Sequence, residues 1–277
     1  MKRIAILGFG NMGEALARGL SARHPGMQIA VLEKRPERRS LCEELGYVSF
    51  SDTHLRDFLG FCDTVVLSIK PQDLGALAQP KSTPPHPEDS TGSTTMPFRE
   101  VDVLSILAGT TIETLQSALR PRGVARLMPS LAAQVGRSSV GVALPAPAPE
   151  ELRAKALLVA ESMGTPYELP ERLMSAITGL SGSGIAYVFA FIHALALGGT
   201  RAGIPYPQAL AVAREVTAGA AELLAQSGDH PIEALSRVIS PAGTTIEGVS
   251  VLEERGFSSA VIDAVIAAAD RAAELEG

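Results

Sequence analysis

Two different rhythms of hydrophobic and polar positions divide this chain. Up to residue 165, short runs of β-branched and aliphatic residues alternate with helical patterns, which is typical of a doubly wound α/β unit. From Glu171 onward no strand pattern remains, and the apolar positions follow helical spacing. The pattern therefore predicts an α/β domain over residues 1–165, followed by an all-helical domain over residues 166–277.

The first domain contains five clear strand patterns and three weaker ones, with helices between them. The clear strands are Arg3–Leu7, Gln28–Glu33, Thr64–Ile69, Asp102–Leu107 and Ala125–Met128, and the weaker ones are Tyr47–Phe50, Ser138–Leu144 and Thr165–Leu169. Intervening helices are predicted at Met12–Arg23, Pro36–Leu45 and Ile112–Leu119.

The second domain shows three long helical patterns and two short ones. The long helices are Gly184–Ala202, Pro207–Gln226 and Ser258–Glu276, and the short ones are Ile232–Val238 and Thr245–Glu254. The central helix is dense in Ala and Gly and apolar over most of its surface, so it must be buried nearly all round. We expect an obligate homodimer through this domain, with packing against the first domain as the alternative.

Residues 79–98 interrupt the α/β rhythm with a segment rich in Pro, Ser and Thr and nearly free of aliphatic residues. It is far longer than an ordinary connection between a strand and a helix. We expect a flexible surface insertion, with a regulatory or partner-docking loop as the alternative.

Composition excludes several classes of function. Apolar residues make up 46% of the chain and charged residues 19%, which suits a globular protein with a sizeable core. The net charge of −6 and the lack of a Lys/Arg-rich run argue against nucleic acid as a partner. Cys42 and Cys62 lack metal-ligand or redox spacing, so no metal site is expected. No apolar run approaches a membrane span and no leader is recognised, which predicts a cytoplasmic protein without a membrane partner.

A dinucleotide fingerprint follows the first strand, in the sequence Gly8-Phe9-Gly10-Asn11-Met12-Gly13. A strand before this motif and a helix after it are the context that gives the motif its meaning. Gly8 suits the tight turn, Gly10 lets the backbone approach a pyrophosphate, and Gly13 allows close packing of helix on strand. The first domain is therefore predicted to be a Rossmann-type dinucleotide-binding domain.

Residues at the end of the second strand favour different cofactors, one favouring NADH and the others NADPH. Glu33 lies where a carboxylate would bond the ribose 2′-hydroxyl and repel a 2′-phosphate. A basic cluster follows at once, and it suits a 2′-phosphate; its members are Lys34, Arg35, Arg38 and Arg39. The balance favours NADPH, with NADH possible.

Two more strand ends reach the ligand-binding edge of such a sheet. Ser68-Ile69-Lys70-Pro71 ends one strand, where Pro71 stops the strand and leaves the Lys70 backbone near the cofactor. Ala108-Gly109 follows the next strand and offers a similar close approach. The cofactor-binding residues predicted from these signals are Gly8, Gly10, Asn11, Met12, Gly13, Lys34, Arg35, Ser68, Lys70, Pro71 and Ala108.

A loop near the end of the chain, Ser240-Pro241-Ala242-Gly243-Thr244-Thr245, lies at a predicted helix start. Free main-chain amides flanked by hydroxyls at such a place form a receptor for a small carboxylate. Together with the fingerprint, this loop suggests an oxidoreductase that acts on a small acid.

These motifs together resemble the pyrroline-5-carboxylate reductase family over nearly the whole chain outside the 79–98 insertion. The segments that carry the resemblance are Gly8–Gly13, Ile69–Gln72, Ile177–Gly184 with Ala186–Phe189, His230-Pro231, Ser240-Pro241, Gly243–Ile246, Val251–Glu254 and Gly256-Phe257. The resemblance implies NAD(P)H-dependent reduction of a cyclic imine to L-proline, in dimers that often assemble into decamers. It also implies that the substrate carboxylate binds at Ser240, Gly243, Thr244 and Thr245, that the Thr245 hydroxyl helps to deliver the proton, and that Glu171 lies close to cofactor and substrate.

Some positions depart from the family pattern around the expected active site. Ser130-Leu131-Ala132 stands where the family usually has Asn-Thr-Pro, and Ile185 stands where proline is usual. Ala242 replaces the first glycine of the carboxylate loop, which is acceptable only if its φ is negative. These departures leave open a reductase of a related cyclic imine or a non-catalytic nucleotide-binding paralogue. A β-hydroxyacid dehydrogenase is disfavoured, because Gly184–Ala202 contains His193 but no lysine.

Overall fold

The structure, a computed structural model, describes residues 1–78 and 98–276. All eight predicted strands are confirmed, most of them with slightly shorter ends. They are β1 Arg3–Leu7, β2 Gln28–Leu32, β3 Val48–Phe50, β4 Thr64–Leu67, β5 Asp102–Ser105, β6 Gly123–Met128, β7 Ser138–Ala143 and β8 Gly164–Glu168. They form one sheet in the order β3-β2-β1-β4-β5-β6-β7-β8, in which β6 and β7 pair antiparallel and every other pair is parallel.

Twelve α-helices accompany these strands within the described residues. They are α1 Asn11–Arg23, α2 Pro36–Glu44, α3 Leu55–Leu59, α4 Leu74–Ala78, α5 Ile112–Leu119, α6 Glu150–Met163, α7 Met174–Ile177, α8 Gly184–Arg201, α9 Tyr206–Ser227, α10 Pro231–Val238, α11 Thr244–Glu254 and α12 Phe257–Glu274. The expected insertion at 79–98 lies, apart from the buried Phe98, outside the described residues.

Both faces of the sheet are covered, as the apolar runs of its central strands require. Ile4 and Ile6 of β1 point to one face, where they join a core that includes Leu16 of α1. Ala5 and Leu7 point to the other face and join a second core with Phe58. This layering leaves the carboxyl ends of β1, β2, β4 and β5 along one edge, which is where ligands bind in open parallel sheets.

At the opposite edge of the sheet, where β4 and β5 begin, a buried ammonium group is bound by three carboxylates. The Lys155 ammonium on α6 contacts carboxylate oxygens of Asp102 at 2.8 Å, Asp63 at 2.9 Å and Glu151 at 2.7 Å. Arg122 binds both oxygens of Asp102, at 2.9 and 2.6 Å. Asp102 opens β5, and Asp63 immediately precedes β4, so this ion cluster fixes the starts of two central strands.

The chain divides into two compact units at a different place from the predicted boundary at 165/166. The first unit holds residues 1–182 and the chain from Ala268 onward, and the second holds Ser183–Ala267. Residues after 165 stay with the sheet because β8 pairs in parallel with β7 through five residue pairs. Met174 of α7 is also buried against Met128 and Ala143.

In the second unit, α8 and α9 approach closely through small residues. Ala196, Ala209 and Ala213 are buried together between them. A side chain at Gly199 would lie 3.1 Å from the Ala209 Cβ atom, so the small residue permits the close approach. The predicted helices of this unit are confirmed with ends that differ by one or two residues.

Much of the apolar surface of this unit is exposed in the single chain, as on α8 at Phe189 (53%) and Leu197 (51%) and on α9 at Val212 and Val216. The helical stretch Glu171–Arg201 is long and apolar enough, by length and composition, to cross a membrane. The expectation that no apolar segment approaches that length is therefore wrong. Length, apolar composition and few charges are common to membrane spans and to buried interface helices, so these features do not distinguish the two.

Candidate active site

The fingerprint forms a tight turn between β1 and α1. Gly8 has a φ of +99°, and a Cβ at this position would collide with the Ser68 carbonyl oxygen at the end of β4. Gly13 packs against the Gly8 carbonyl in the same way. At Gly10 a Cβ would meet nothing within 4 Å, and α1 has no side-chain cap within the described residues. The turn therefore presents open space in front of free main-chain amides, and Asn11 and Met12 form the first helical turn behind it.

The Glu33 carboxylate just beyond β2 already accepts hydrogen bonds from other groups of the protein. It accepts hydrogen bonds from the Phe9 amide at 2.9 Å and from the Arg35 amide at 3.0 Å, and it pairs with the Arg35 guanidinium. Burial alone would raise the pKa of Glu33, but these donors outweigh it and hold the pKa at about 2. The side chain is only 5% exposed. Glu33 is therefore an anchor for the turn at Phe9.

The other cations of the basic cluster differ in how many hydrogen bonds and ion pairs they make. The Arg38 guanidinium donates to the Phe9 carbonyl at 2.8 Å, pairs with Glu14 at 2.7 Å and lies 5.0 Å from the centre of the Phe9 ring. Arg39 donates to the carbonyls of Glu33 and Lys34. Lys34 is exposed, and no hydrogen bond or ion pair of its side chain is found among the described residues.

The predicted residues after β4 and β5 also lie on this carboxyl edge. The Ser68 amide donates to the Leu7 carbonyl at 2.8 Å, which fixes the end of β4 beside β1. Lys70 and Pro71 follow and are exposed, as is Ala108 beyond β5. Gly109 has a φ of +64°, but its bare face meets Leu275, whose Cβ and carbonyl oxygen lie 2.8 and 2.9 Å from the position that a Gly109 Cβ would take. The close approach expected for a cofactor at Gly109 is therefore made by the protein itself.

Glu171 is joined to the same edge through its first carboxylate oxygen. Oε1 accepts from the Ile112 amide at the start of α5 at 2.7 Å and from Arg126 Nη1 at 3.1 Å. Arg126 Nη2 donates to Glu276 Oε1 at 2.6 Å. Arg126 is almost completely buried in β6, and its Nε has no partner among the described residues.

The carboxylate loop forms a turn that leads into α11 in the second unit. The Gly243 amide donates to the Ser240 carbonyl at 3.0 Å, with Pro241 and Ala242 at the central positions. Ala242 has a φ of +55°, so the condition that its φ be negative is not met. Pro followed by a residue of positive φ is the geometry of a type II turn, in which glycine is preferred and another residue is strained.

The amino terminus of α11 is open. Gly243 occupies the cap position without a side-chain cap, and a Cβ there would collide with the Ser240 hydroxyl. Neither Thr244 nor Thr245 has a side-chain hydrogen bond among the described residues, and Thr244 is exposed. Free amides and hydroxyls at one helix start form an anion receptor.

The departures after β6 have different surroundings. Ser130 is buried, and its amide and hydroxyl bond the Ser138 hydroxyl at 2.8 and 3.2 Å. Leu131 is 42% exposed. Ser130 thus serves the β6–β7 connection, while Leu131 adds an apolar surface beside it. Ile185 lies in the first turn of α8, where it takes the place of proline without breaking the helix.

Sequence comparison decides the family. Residues 171–275 match the profile described as pyrroline-5-carboxylate reductase dimerisation, and residues 3–88 match one described as NADP oxidoreductase, coenzyme F420-dependent. The pyrroline-5-carboxylate reductase of Aquifex aeolicus is 36% identical over 274 residues, which cover 99% of this chain and 97% of that protein. The chain belongs to the pyrroline-5-carboxylate reductase family.

Solved structures of pyrroline-5-carboxylate reductases share the fold. The enzyme from Streptococcus pyogenes superposes with a TM-score of 0.81 at 27% identity, with 98% of each chain covered. The enzyme from Plasmodium falciparum, solved with NADP bound, gives a TM-score of 0.82 at 21% identity over 99% of this chain and 98% of that one. The expected fold class is confirmed. As a member of this family, the chain is an oxidoreductase of the nicotinamide-dependent class whose helical unit is a dimerisation domain.

Sequence reasoning missed several charged residues of the site. Arg126 is a lone charge inside the apolar strand sequence Gly-Val-Ala-Arg-Leu-Met, and a buried charge of that kind requires partners. That signal could have marked Arg126, although it could not have identified Glu276 as a partner. Glu14 carried no signal beyond its place in the first turn of α1. His230 caps α10 through Nδ1, which accepts from the Ile232 amide.

Proposed function

We propose that this protein reduces the C=N bond of 1-pyrroline-5-carboxylate to L-proline, the last step of proline biosynthesis, with NADPH preferred over NADH. The observation that carries the proposal is the open amino terminus of α11 at Ser240–Thr245, in a chain that belongs to this family over its full length. Two anion receptors, one at α1 and one at α11, suit a dinucleotide and a small carboxylate.

The β1–α1 turn suits a dinucleotide pyrophosphate. Gly10 leaves open the space that a side chain would fill, and the amides at the start of α1 have no internal cap among the described residues. In this proposal Gly8, Gly10 and Gly13 shape the turn, and Asn11 and Met12 supply amides. Ser68, Lys70, Pro71 and Ala108 provide the backbone edge along the rest of the cofactor.

The state of Glu33 supports the preference for NADPH. A carboxylate that binds the Phe9 amide and Arg35 is not free to accept a hydrogen bond from a ribose 2′-hydroxyl. The exposed cations Lys34 and Arg35 lie beside it and suit a 2′-phosphate, for which the positive charge is complementary. NADH remains the alternative cofactor, without this electrostatic contribution.

Reduction places a hydride on the imine carbon and a proton on the ring nitrogen. The bound nicotinamide supplies the hydride. The amides of Gly243, Thr244 and Thr245, with the Ser240 hydroxyl, hold the substrate carboxylate and thereby orient the ring. The Thr245 hydroxyl donates to the ring nitrogen and helps to deliver the proton. Glu171 is proposed, from the family resemblance, as a further substrate-binding residue.

The exposed apolar helices support a homodimer through the second unit. Phe189, Leu197, Val212 and Val216 are each more than two-fifths exposed in the single chain, and a partner copy would bury such residues. A subunit interface also accounts for the apolar stretch Glu171–Arg201 without a membrane. We extend the proposal to a cytoplasmic enzyme that can assemble into decamers, with neither membrane nor nucleic acid as partner.

The first test follows the absorbance of the reduced nicotinamide during turnover of pyrroline-5-carboxylate, with NADPH and NADH in parallel. We expect turnover with both and a higher kcat/KM with NADPH. Binding of NADPH without any turnover would contradict the proposal and favour a related cyclic imine, such as a six-membered ring, or a non-catalytic role. A higher kcat/KM with NADH would overturn the cofactor preference alone.

The proposed role of Thr245 is tested by replacing it with valine, which keeps its shape and removes the hydroxyl. We expect kcat to fall on the order of 100-fold, the usual contribution of a positioned proton donor. Thr245→Ser keeps the hydroxyl and should retain most of the activity. Equal kcat values for Thr245→Val and the wild type would show that the proton comes from elsewhere.

A further inference from the structure

The peptide bonds on both sides of Phe9 are held by side chains that follow β2. The Phe9 amide donates to Glu33 Oε2 at 2.9 Å, and the Phe9 carbonyl accepts from Arg38 Nε at 2.8 Å. Arg35 also reaches the Phe9 carbonyl, but its Nη2 is 3.4 Å away and its guanidinium pairs with Glu33. The Phe9 ring is fully buried, so this residue is fixed through its backbone and its side chain.

Arg38 is itself held in place by two further contacts. Its Nη2 pairs with Glu14 Oε2 at 2.7 Å, and its guanidinium carbon lies 5.0 Å from the centre of the Phe9 ring. The hydrogen bond from Arg38 is the largest cause that holds the pKa of Glu14 below its ordinary value. Both side chains are more than three-quarters covered, at 22% and 24% exposure. Arg38 therefore joins α2 to α1 and to the turn between β1 and α1.

The hydrogen bond from Arg38 sets the direction of the Gly10 amide. The Phe9–Gly10 peptide bond is trans, and in a trans peptide the C=O and the following N–H point in opposite directions. Because the Phe9 carbonyl faces Arg38, the Gly10 N–H points away from that side chain. No acceptor for this N–H is found among the described residues, so it is available to a ligand.

Glycine at position 10 makes this direction depend on Arg38. Glycine adopts more backbone conformations than any other residue, and a Cβ at Gly10 would meet no atom within 4 Å. Steric contacts therefore do little to prevent rotation of the Phe9–Gly10 peptide. Its carbonyl is the group through which the rest of the protein fixes it.

We propose that Arg38 is a positioning residue for the cofactor, which turns the Gly10 amide toward the dinucleotide pyrophosphate through its hydrogen bond to the Phe9 carbonyl. The inference rests on the dinucleotide site of the proposed function and requires residues of the first unit alone. The pyrophosphate is common to NADH and NADPH, so Arg38 contributes to the binding of both. A cation that served only the 2′-phosphate would contribute to the binding of NADPH alone.

The test measures the dissociation constant of NADH, which has no 2′-phosphate, beside that of NADPH. The fluorescence of the bound nicotinamide reports both, and the chain contains no tryptophan that would interfere. For Arg38→Met we expect the NADH constant to rise about tenfold, which corresponds to one hydrogen bond from a charged group. The NADPH constant should rise by at least the same factor. At saturating NADH, kcat should stay within about twofold of the wild-type value, because the change affects binding alone.

Arg38→Gln is the matched variant, since it loses the same charge but keeps an N–H donor. Its side-chain nitrogen is as many bonds from Cα as Arg38 Nε, and it can donate to the Phe9 carbonyl. We expect its NADH constant to stay within about threefold of the wild-type value, as for a neutral hydrogen bond. Arg18→Met is the second control, because Arg18 pairs with the same Glu14 carboxylate and is half exposed. It should leave both constants within about twofold of the wild-type values.

A wild-type NADH constant in Arg38→Met would overturn the inference, even if NADPH binding fell. Equal losses of NADH binding in Arg38→Met and in Arg38→Gln or Arg18→Met would also overturn it, because loss of charge would then explain the result. A nuclear magnetic resonance titration of the wild-type protein needs no variant: NADH should shift the Gly10 amide resonance, and an unshifted resonance would contradict the proposal. If the wild-type protein binds both dinucleotides without reducing the imine, the proposed reaction fails, while these constants still decide the role of Arg38.

Discussion

Lys155 and Arg126 are both buried cations held by carboxylates, at opposite edges of the same sheet, yet their hydrogen-bonding states differ. Three carboxylates take the three hydrogens of the Lys155 ammonium. Arg126 instead has a buried Nε without a partner among the described residues. A buried cation whose hydrogens are all bound is fully satisfied, whereas a buried N–H without a partner requires a separate explanation.

The electrostatics of the Lys155 cluster agree with a structural role. Burial alone would lower the pKa of Lys155, but the hydrogen bonds that it donates to Asp102, Glu151 and Asp63 raise the pKa above its ordinary value. Burial likewise would raise the pKa of Asp102, but Arg122 and Lys155 hold it below its ordinary value. Lys155 and Asp102 therefore stay charged at neutral pH, and neither lies at the carboxyl edge of the sheet.

The largest expected effect is on stability at the amino edge. Lys155→Met should lower the free energy of unfolding by about 3 kcal/mol, because it removes the cation from nearly buried carboxylates. The activity of each folded molecule should stay at the wild-type level. Denaturant unfolding and kinetics on the same preparation measure both quantities. Glu151→Gln serves as control, since Glu151 is 73% exposed and its loss should cost less than about 1 kcal/mol.

Arg126→Met should have the opposite result, with a larger loss of activity than of stability. The free energy of unfolding should fall by about 2 kcal/mol, because Glu171 and Glu276 are partly exposed and can be hydrated once the cation is gone. The kcat/KM for the imine should fall on the order of 100-fold, because Glu171, which we propose as a substrate-binding residue, loses the cation that holds it. Kinetics at full saturation with NADPH measure the loss. If the variant kept the wild-type kcat/KM, the Arg126 cluster would affect stability only, like the Lys155 cluster.

Replacing Glu33 should have a smaller effect on the free energy of unfolding, and this effect should depend on pH. Its pKa in the folded protein lies at about 2, below the ordinary 4.5, so its contribution is complete above about pH 4.5 and is lost as the pH falls toward 2. Wild type should exceed Glu33→Gln in free energy of unfolding by about 2 kcal/mol at neutral pH, since Arg35 is half exposed and solvent screens the pair. Urea unfolding at several pH values should show the gap narrowing with acid, and a gap constant down to pH 3 would contradict it.

The smallest effect is expected at the turn before α11. Ala242→Gly removes the strain of an alanine at positive φ, which costs about 1 kcal/mol, but it also adds flexibility to the unfolded chain. We expect a gain in stability of less than about 1 kcal/mol and an unchanged NADPH dissociation constant. Thermal unfolding measures the first and nicotinamide fluorescence the second. A loss of stability would show that the alanine is not strained.

Local patterns predicted most of the fold because they act over short distances. The apolar runs of β1, β4 and β5 and the helical spacing of α8 and α9 reflect burial within one element. The glycine turn before α1 depends on neighbouring residues, and its motif was visible in the sequence. The unit boundary moved from 165 to 182 because the pairing of β8 with β7 depends on tertiary contacts.

The charged contacts of the site could not be predicted in the same way. Arg126 and Glu276 are 150 positions apart, so no spacing rule links them. The basic cluster after β2 was visible, but whether Glu33 turns toward Arg35 depends on the backbone at Phe9. The positive φ of Ala242 arises from the turn geometry, which the replacement of glycine by alanine concealed.

One measurement tests the central proposal most directly. Purified protein is incubated with pyrroline-5-carboxylate and NADPH, and the L-proline formed is quantified by chiral chromatography against the NADPH consumed. We predict one molecule of L-proline for each NADPH oxidised. NADPH that binds but is not consumed, or is consumed without proline, would contradict it.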